Sequence, residues 1–204
     1  MPEHLGRVTP TALAAWRDID ELGALVGAYC WLEQRLFELT GRWATAPGDR
    51  DGSEAIAIAA ECRVWCAAAS RRHGSLAGRW AERLPVRAGV DPAALVTPPE
   101  GPVAAALEEL AASHMKPGFG VLVETVLPWV GGLYVSHLGR ANSASEAPVM
   151  EVLVEGRRAA AGEIRSGRSL LQRLPGGMKP SRHLREVAER AFAGSAVLPA
   201  VRPS

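Results

Sequence analysis

The chain has 204 residues, with 23 Lys and Arg against 22 Asp and Glu, and 48% of its positions are hydrophobic. A net charge of +1 excludes a strongly basic nucleic-acid binder and an acidic tail protein, and the apolar fraction excludes a disordered chain. The length suits one domain with a sizeable core.

The first periodic segment covers residues 11–43. Leu22, Val26, Tyr29, Glu33, Leu36, Thr40 and Trp43 recur at alternating spacings of three and four, the pattern of a long amphipathic helix that begins near Thr11. Pro47, Gly48 and Gly52 mark a short turn over 44–52. Ser53 suits the N-cap of a second helix, with Ile58, Cys62, Trp65, Ala69, His73, Leu76 and Trp80 as its stripe and Pro85 as its end. Between 86 and 118 the pattern is broken by Pro92, Pro98, Pro99, Gly101, Pro102 and Pro117, which leave short helical pieces at 92–95 and 103–114.

A third long helix is predicted over 119–141, with a stripe through Phe119, Leu122, Val126, Val130, Tyr134 and His137, and with Pro128 kinking it or making its start irregular. A polar turn over 142–145 leads to a fourth helix at 146–174, where Pro148 is tolerated in the first turn. Its stripe is expected through Met150, Leu153, Arg157, Ala160, Ile164, Arg168 and Leu171, and Pro175, Gly176 and Gly177 stop it. A short amphipathic helix over 181–193 carries Leu184, Val187, Ala188, Ala191 and Phe192 on its apolar side, and residues 194–204 read as a tail.

With no alternating strand, the fold class is all-α. Short, long and short connections predict a four-helix bundle with one long crossover over residues 1–174, followed by a C-terminal extension, 175–204, that holds the short helix. Cys30, Cys62 and Cys66 form neither a disulfide framework nor a paired zinc spacing and read as small buried thiols. The N-terminus, with Glu3 and His4, lacks the shape of a secretory leader, and the apolar run 121–135 is interrupted by Glu124 and Pro128 and falls short of a spanning length. The expectation is a cytoplasmic protein with no membrane and no nucleic-acid partner.

In helix lengths, loop order and helical acidic residues, residues 11–174 resemble the ferritin-like superfamily. Members commonly hold two iron or manganese ions with one Glu from each of two helices and a Glu-x-x-His pair from each of the others. Mapped onto this chain, the resemblance implies Glu33, Glu61 and Glu124 as metal-ligand candidates. The histidines are missing: Val64 lies three residues after Glu61, and Glu151, Glu155 and Glu163 are followed three later by Val154, Arg158 and Ser166. His73 is twelve residues beyond Glu61, about 18 Å along the axis, too far to share an ion with it.

The chain is therefore expected to be a metal-free bundle without cofactor, acting as a binding or interaction protein for a partner subunit or a small apolar ligand. The alternative is a dinuclear-metal oxidoreductase with an iron or manganese pair in a carboxylate-rich site. In the metal-free reading Glu33 needs a counter-charge, and Arg157, on the predicted inward stripe, is the expected partner, with Arg168 near His73 or Glu38. The competing reading places Glu33 at the stripe's edge, in reach of water. His73 and His137 read as hydrogen-bonded core residues. Arg71-Arg72 and Arg157-Arg158 read as solvated faces, and Trp31 and Trp129, off the main stripes, as contacts in a homo- or hetero-oligomer.

Overall fold

A computed structural model describes residues 17–46, 53–99, 101–173 and 181–193, and among them the protein is all-helical, with no strand beyond an isolated bridge between Arg87 and Val90. The helices are α1 (Ile19–Thr45), α2 (Ser53–Ala81), α3 (Val103–Ala112), α4 (Met115–Leu138), α5 (Ala147–Arg173) and α6 (Arg182–Ala193), with a 3₁₀ turn at Pro92–Leu95.

Local chemistry sets the ends. Asp18, not Thr11, caps the start of α1: its carboxylate accepts from the backbone N–H of Asp20 (2.8 Å) and Glu21 (2.7 Å), and the Glu21 side chain closes the capping box. Residues 11–16 lie outside the described residues, as do most of the turn before α2, the stop at 174–177 and the tail. Helix α4 starts at Met115, four residues earlier than predicted. Pro117 does not prevent this, because the first-turn N–H groups of a helix have no intrahelical acceptor. Pro128 is accommodated by a π-helical turn at Leu122–Val126 directly before it, which relieves the clash between a proline ring and the carbonyl four residues back.

Contacts between the four long helices fix their relative directions. Across α1 and α2, Cys30 Sγ lies 3.4 Å from the Ala77 carbonyl and Ser70 Oγ 3.0 Å from the Phe37 carbonyl, so numbers rise on one helix as they fall on the other. Helix α5 runs opposite to α2 in the same way, through Trp65–Ser166 (2.8 Å) and Arg79–Glu155 (2.7 Å). It also runs opposite to α4, through Tyr134 against Gly156 and Val123 against Gly167. Helix α4 in turn lies antiparallel to α1, with Trp43 beside Gly118 near one end and Tyr29 beside His137 near the other.

Most of α1 from Leu25 to Leu32 is buried all round, because its outer side is covered. A Cβ on Gly27 would overlap the Leu95 carbonyl, and the Trp43 indole donates to the Ser113 carbonyl at 3.1 Å. Helix α6 packs on α3 and α4 and joins the same core through Leu184, Ala188, Ala191 and Phe192. Helix α4, 24 residues long, has the length and composition to cross a membrane, and 61% of its most apolar window is buried inside the protein.

The buried face of α5 differs from the predicted stripe. Val149, Val152, Leu153, Gly156, Ala160, Glu163, Gly167 and Leu170 face inward, one position away from the series through Arg157 and Ile164. One position is a rotation of roughly 100°. The reason is steric: a Cβ at Gly156 would stand 2.6 Å from the Tyr134 ring and one at Gly167 2.6 Å from Val123, so only glycine lets α4 sit this close. Arg157 is consequently exposed and makes no hydrogen bond or ion pair among the described residues.

Candidate functional site: two buried ionic clusters

The first cluster gathers side chains from all four long helices. Glu33 (α1), His73 (α2), Tyr134 (α4) and Glu163 (α5) are each at most 3% exposed, a depth at which charged groups persist only when paired. His73 Nδ1 lies 2.5 Å from Glu33 Oε2, and the Tyr134 hydroxyl donates to Glu33 Oε1, so both oxygens of that carboxylate are engaged. On the other side of the imidazole, Nε2 is 3.3 Å from Glu163 Oε2. That distance serves charge attraction, but the atoms are off the line of a hydrogen bond, and neither has another hydrogen-bond partner. The second Glu163 oxygen accepts from Arg72 Nε at 2.7 Å.

These distances determine the charges. Burial alone would lower the His73 pKa, but the two carboxylates outweigh it and push it up to about 10. The ring is therefore an imidazolium at neutral pH, with protons on both nitrogens. Burial likewise acts to raise the Glu163 pKa, yet His73 and Arg72 hold it below the usual carboxylate value. Tyr134 stays protonated, because burial and then Glu33 push its pKa well up.

The second cluster sits at the end of α4, where His137, Glu146, Tyr29 and Arg17 meet. Arg17 Nη1 donates to both Glu146 oxygens (2.8 and 3.0 Å), and His137 Nε2 is 2.7 Å from Glu146 Oε2. The Tyr29 hydroxyl is 3.3 Å from His137 Nδ1. Here burial lowers the imidazole pKa, and Arg17, 3.4 Å from Nε2, works in the same direction against the raising effect of Glu146. A neutral ring with its proton on Nε2 fits the contacts with Glu146 and Tyr29: Nε2–H donates to Glu146 and Nδ1 accepts from Tyr29, while Arg17 then faces Nε2 without a hydrogen bond to it. The clusters approach through Tyr29 and Tyr134, whose ring centroids are 5.3 Å apart, and Trp80 stacks on Tyr29 at 4.9 Å.

Glu33, His73 and His137 are thus buried polar residues, as their stripes predict, but Arg157 is not among them. The expected Glu33–Arg157 pair is replaced by Glu33–His73, since α5 turns Glu163 inward instead. Arg168 pairs with Glu124 on the surface (2.9 Å), not with His73 or Glu38. Trp31 is buried, and Trp129 is half-buried and packs on Phe192 with centroids 4.7 Å apart. Sequence reasoning missed Arg17 and Glu146 altogether and placed Glu163 on no face. The signal for Glu163 is present in the spacing of Gly156, Ala160, Glu163 and Gly167, once glycine is counted as a buried type.

The metal-ligand set implied by the resemblance does not fit. Glu61 is exposed and paired with Arg173, Glu124 is exposed and paired with Arg168, and neither faces Glu33. Among the described residues no three His, Cys, Asp or Glu side chains are arranged to hold a metal ion. The surface grooves lined by Arg72 and Glu155, by Ala60 and Leu170, and by Trp43 and Lys116 do not include Glu33, His73 or Tyr134. Cys30, Cys62 and Cys66 are free and buried, and burial raises the Cys62 and Cys66 pKa values to about 11 and about 12, far from those of reactive thiols. No protein-family model, curated protein or solved structure matches the chain.

Proposed function

We propose that this protein is a metal-free bundle of ferritin-like topology that works by binding a partner subunit or a small apolar ligand. The topology is supported by the helix pairings. If α1 is antiparallel to α2 and α4, and α5 is antiparallel to both, then α2 and α4 run parallel, as one long crossover between them requires. The observation that carries the functional reading is the position of His73. Its imidazolium lies between Glu33 and Glu163 where the four long helices meet, and it supplies the positive charge that carboxylates in such a core need.

A proton-bearing ring held in this way neutralises the acidic groups without binding a metal, and a reducing, cytoplasmic setting suits three unpaired, buried thiols. Elemental analysis of the purified protein tests the proposal. Iron and manganese are expected well below one equivalent, unchanged in Glu33→Ala. Two equivalents of either metal, lost in that variant, would overturn it.

A further inference from the structure

Helix α2 carries a second face, opposite the one that holds His73. Glu61, Val64, Ala68 and Arg71 recur at spacings of three, four and three and so form one stripe along the helix. Val64 is 71% exposed, more than Ile19, Phe37 or Val135, the other exposed large apolar residues in the described helices. It lines an open groove of about 560 Å³ between α2 and α5, together with Ala60, Ala68, Trp65 and Leu170, and the Glu61–Arg173 pair lies at the rim. Arg71, one turn beyond Ala68, is exposed and makes no hydrogen bond or ion pair among the described residues.

We propose that this face is the contact between two copies of the chain, packed about a two-fold axis with their α2 helices antiparallel. A two-fold axis requires that if residue i of one copy meets j of the other, then j meets i. In the register that sets Glu61 against Arg71 of the second copy, Val64 falls against Ala68, and both pairs occur twice. Opposite charges then meet at the two ends and large meets small in the middle, while Ala60, Ala67 and Ala68 let the backbones approach. A parallel pairing would set Glu61 on Glu61 and Arg71 on Arg71, which like-charge repulsion disfavours. The same stripe therefore selects both the partner and its direction. This inference takes the binding role proposed above and names its partner as the chain itself.

Sedimentation of the full chain from low micromolar to the highest attainable concentration provides the test, with circular dichroism confirming that each variant is folded. The native protein is expected to dimerise. Val64→Glu and Arg71→Glu should each weaken the dimer about tenfold or more. Glu61→Arg should do the same, although it also removes the pair with Arg173. Mixing the Glu61→Arg and Arg71→Glu proteins should restore association, because each then offers the charge that the other lacks. A native protein that stays monomeric overturns the proposal, as does a dimer indifferent to Val64→Glu and Arg71→Glu, or a mixture that fails to associate. Metal content is read separately: a dimer carrying two equivalents of iron would sink the functional reading and leave the dimer standing, and a metal-free monomer would do the reverse.

Discussion

The core buries two histidines, and their surroundings drive them in opposite directions. His73 has a carboxylate on each side of its ring, and although burial opposes its charge, Glu33 and Glu163 hold it protonated. His137 has one carboxylate, already occupied by the Arg17 guanidinium, so burial decides and the ring is neutral. In each cluster the positive and negative groups balance, but by different means: an imidazolium and Arg72 in the first, Arg17 alone in the second. The comparison shows that burial leaves a core histidine neutral unless the carboxylates beside it outweigh the cost of its charge.

The largest test of this contrast removes an anion from the first cluster. Glu33→Ala leaves His73 with a single carboxylate and the Tyr134 hydroxyl without its acceptor, and should cost about 3–5 kcal/mol in urea unfolding. A loss below about 1 kcal/mol would mean that the cluster is not formed in solution.

The histidines themselves should separate by pH. The folded His73 pKa lies above its ordinary 6.5, so its contribution is fully present below pH 6.5 and is lost as pH rises through about 10. The folded His137 pKa lies below 6.5, so its contribution is fully present above that pH and is lost as pH falls, with Glu163 adding to the acid loss below about 4.5. His73→Gln should therefore flatten the alkaline arm of the stability curve and, by removing the charge that holds Glu163 low, also weaken the acid loss below about 4.5, whereas His137→Gln should reduce the acid arm only. A His73→Gln variant that keeps the alkaline arm, or a His137→Gln variant that loses it, would break the comparison.

Arg17→Met should cost about 2–3 kcal/mol, less than Glu33→Ala because Glu146 keeps His137 as a partner. It should also raise the His137 pKa in an NMR titration, since the repelling guanidinium is gone. Tyr134→Phe removes one hydroxyl donor from Glu33 and should cost about 1–2 kcal/mol. At the bottom of the scale, Arg157→Met should leave the melting temperature where it is, because that side chain is exposed and unpaired among the described residues. A marked loss there would put Arg157 back beside Glu33.

Part of the candidate site is legible before any folding is considered. Glu33, His73 and His137 lie on apolar stripes of long helices, and burial follows from that placement. Glu146 hides at a helix start and Arg17 just before one, where periodicity is silent, although each is nearly buried. The misjudged face of α5 has a different origin. Glycine carries no hydrophobic signal, so Gly156 and Gly167 look neutral next to Ile164 and Leu171, yet they mark the side where Tyr134 and Val123 press closest.

By itself, the sequence determined the all-helical class, the approximate positions of the helices and the inward direction of three polar side chains. Each of these follows from a repeat of about 3.6 residues acting within one segment. Only the tertiary structure decided which charges meet. The rotation of α5 about its axis is set by the fit of an α4 ring and methyl groups against two glycines, contacts between residues distant in the chain. That rotation brings Glu163 to His73 and turns Arg157 to the surface.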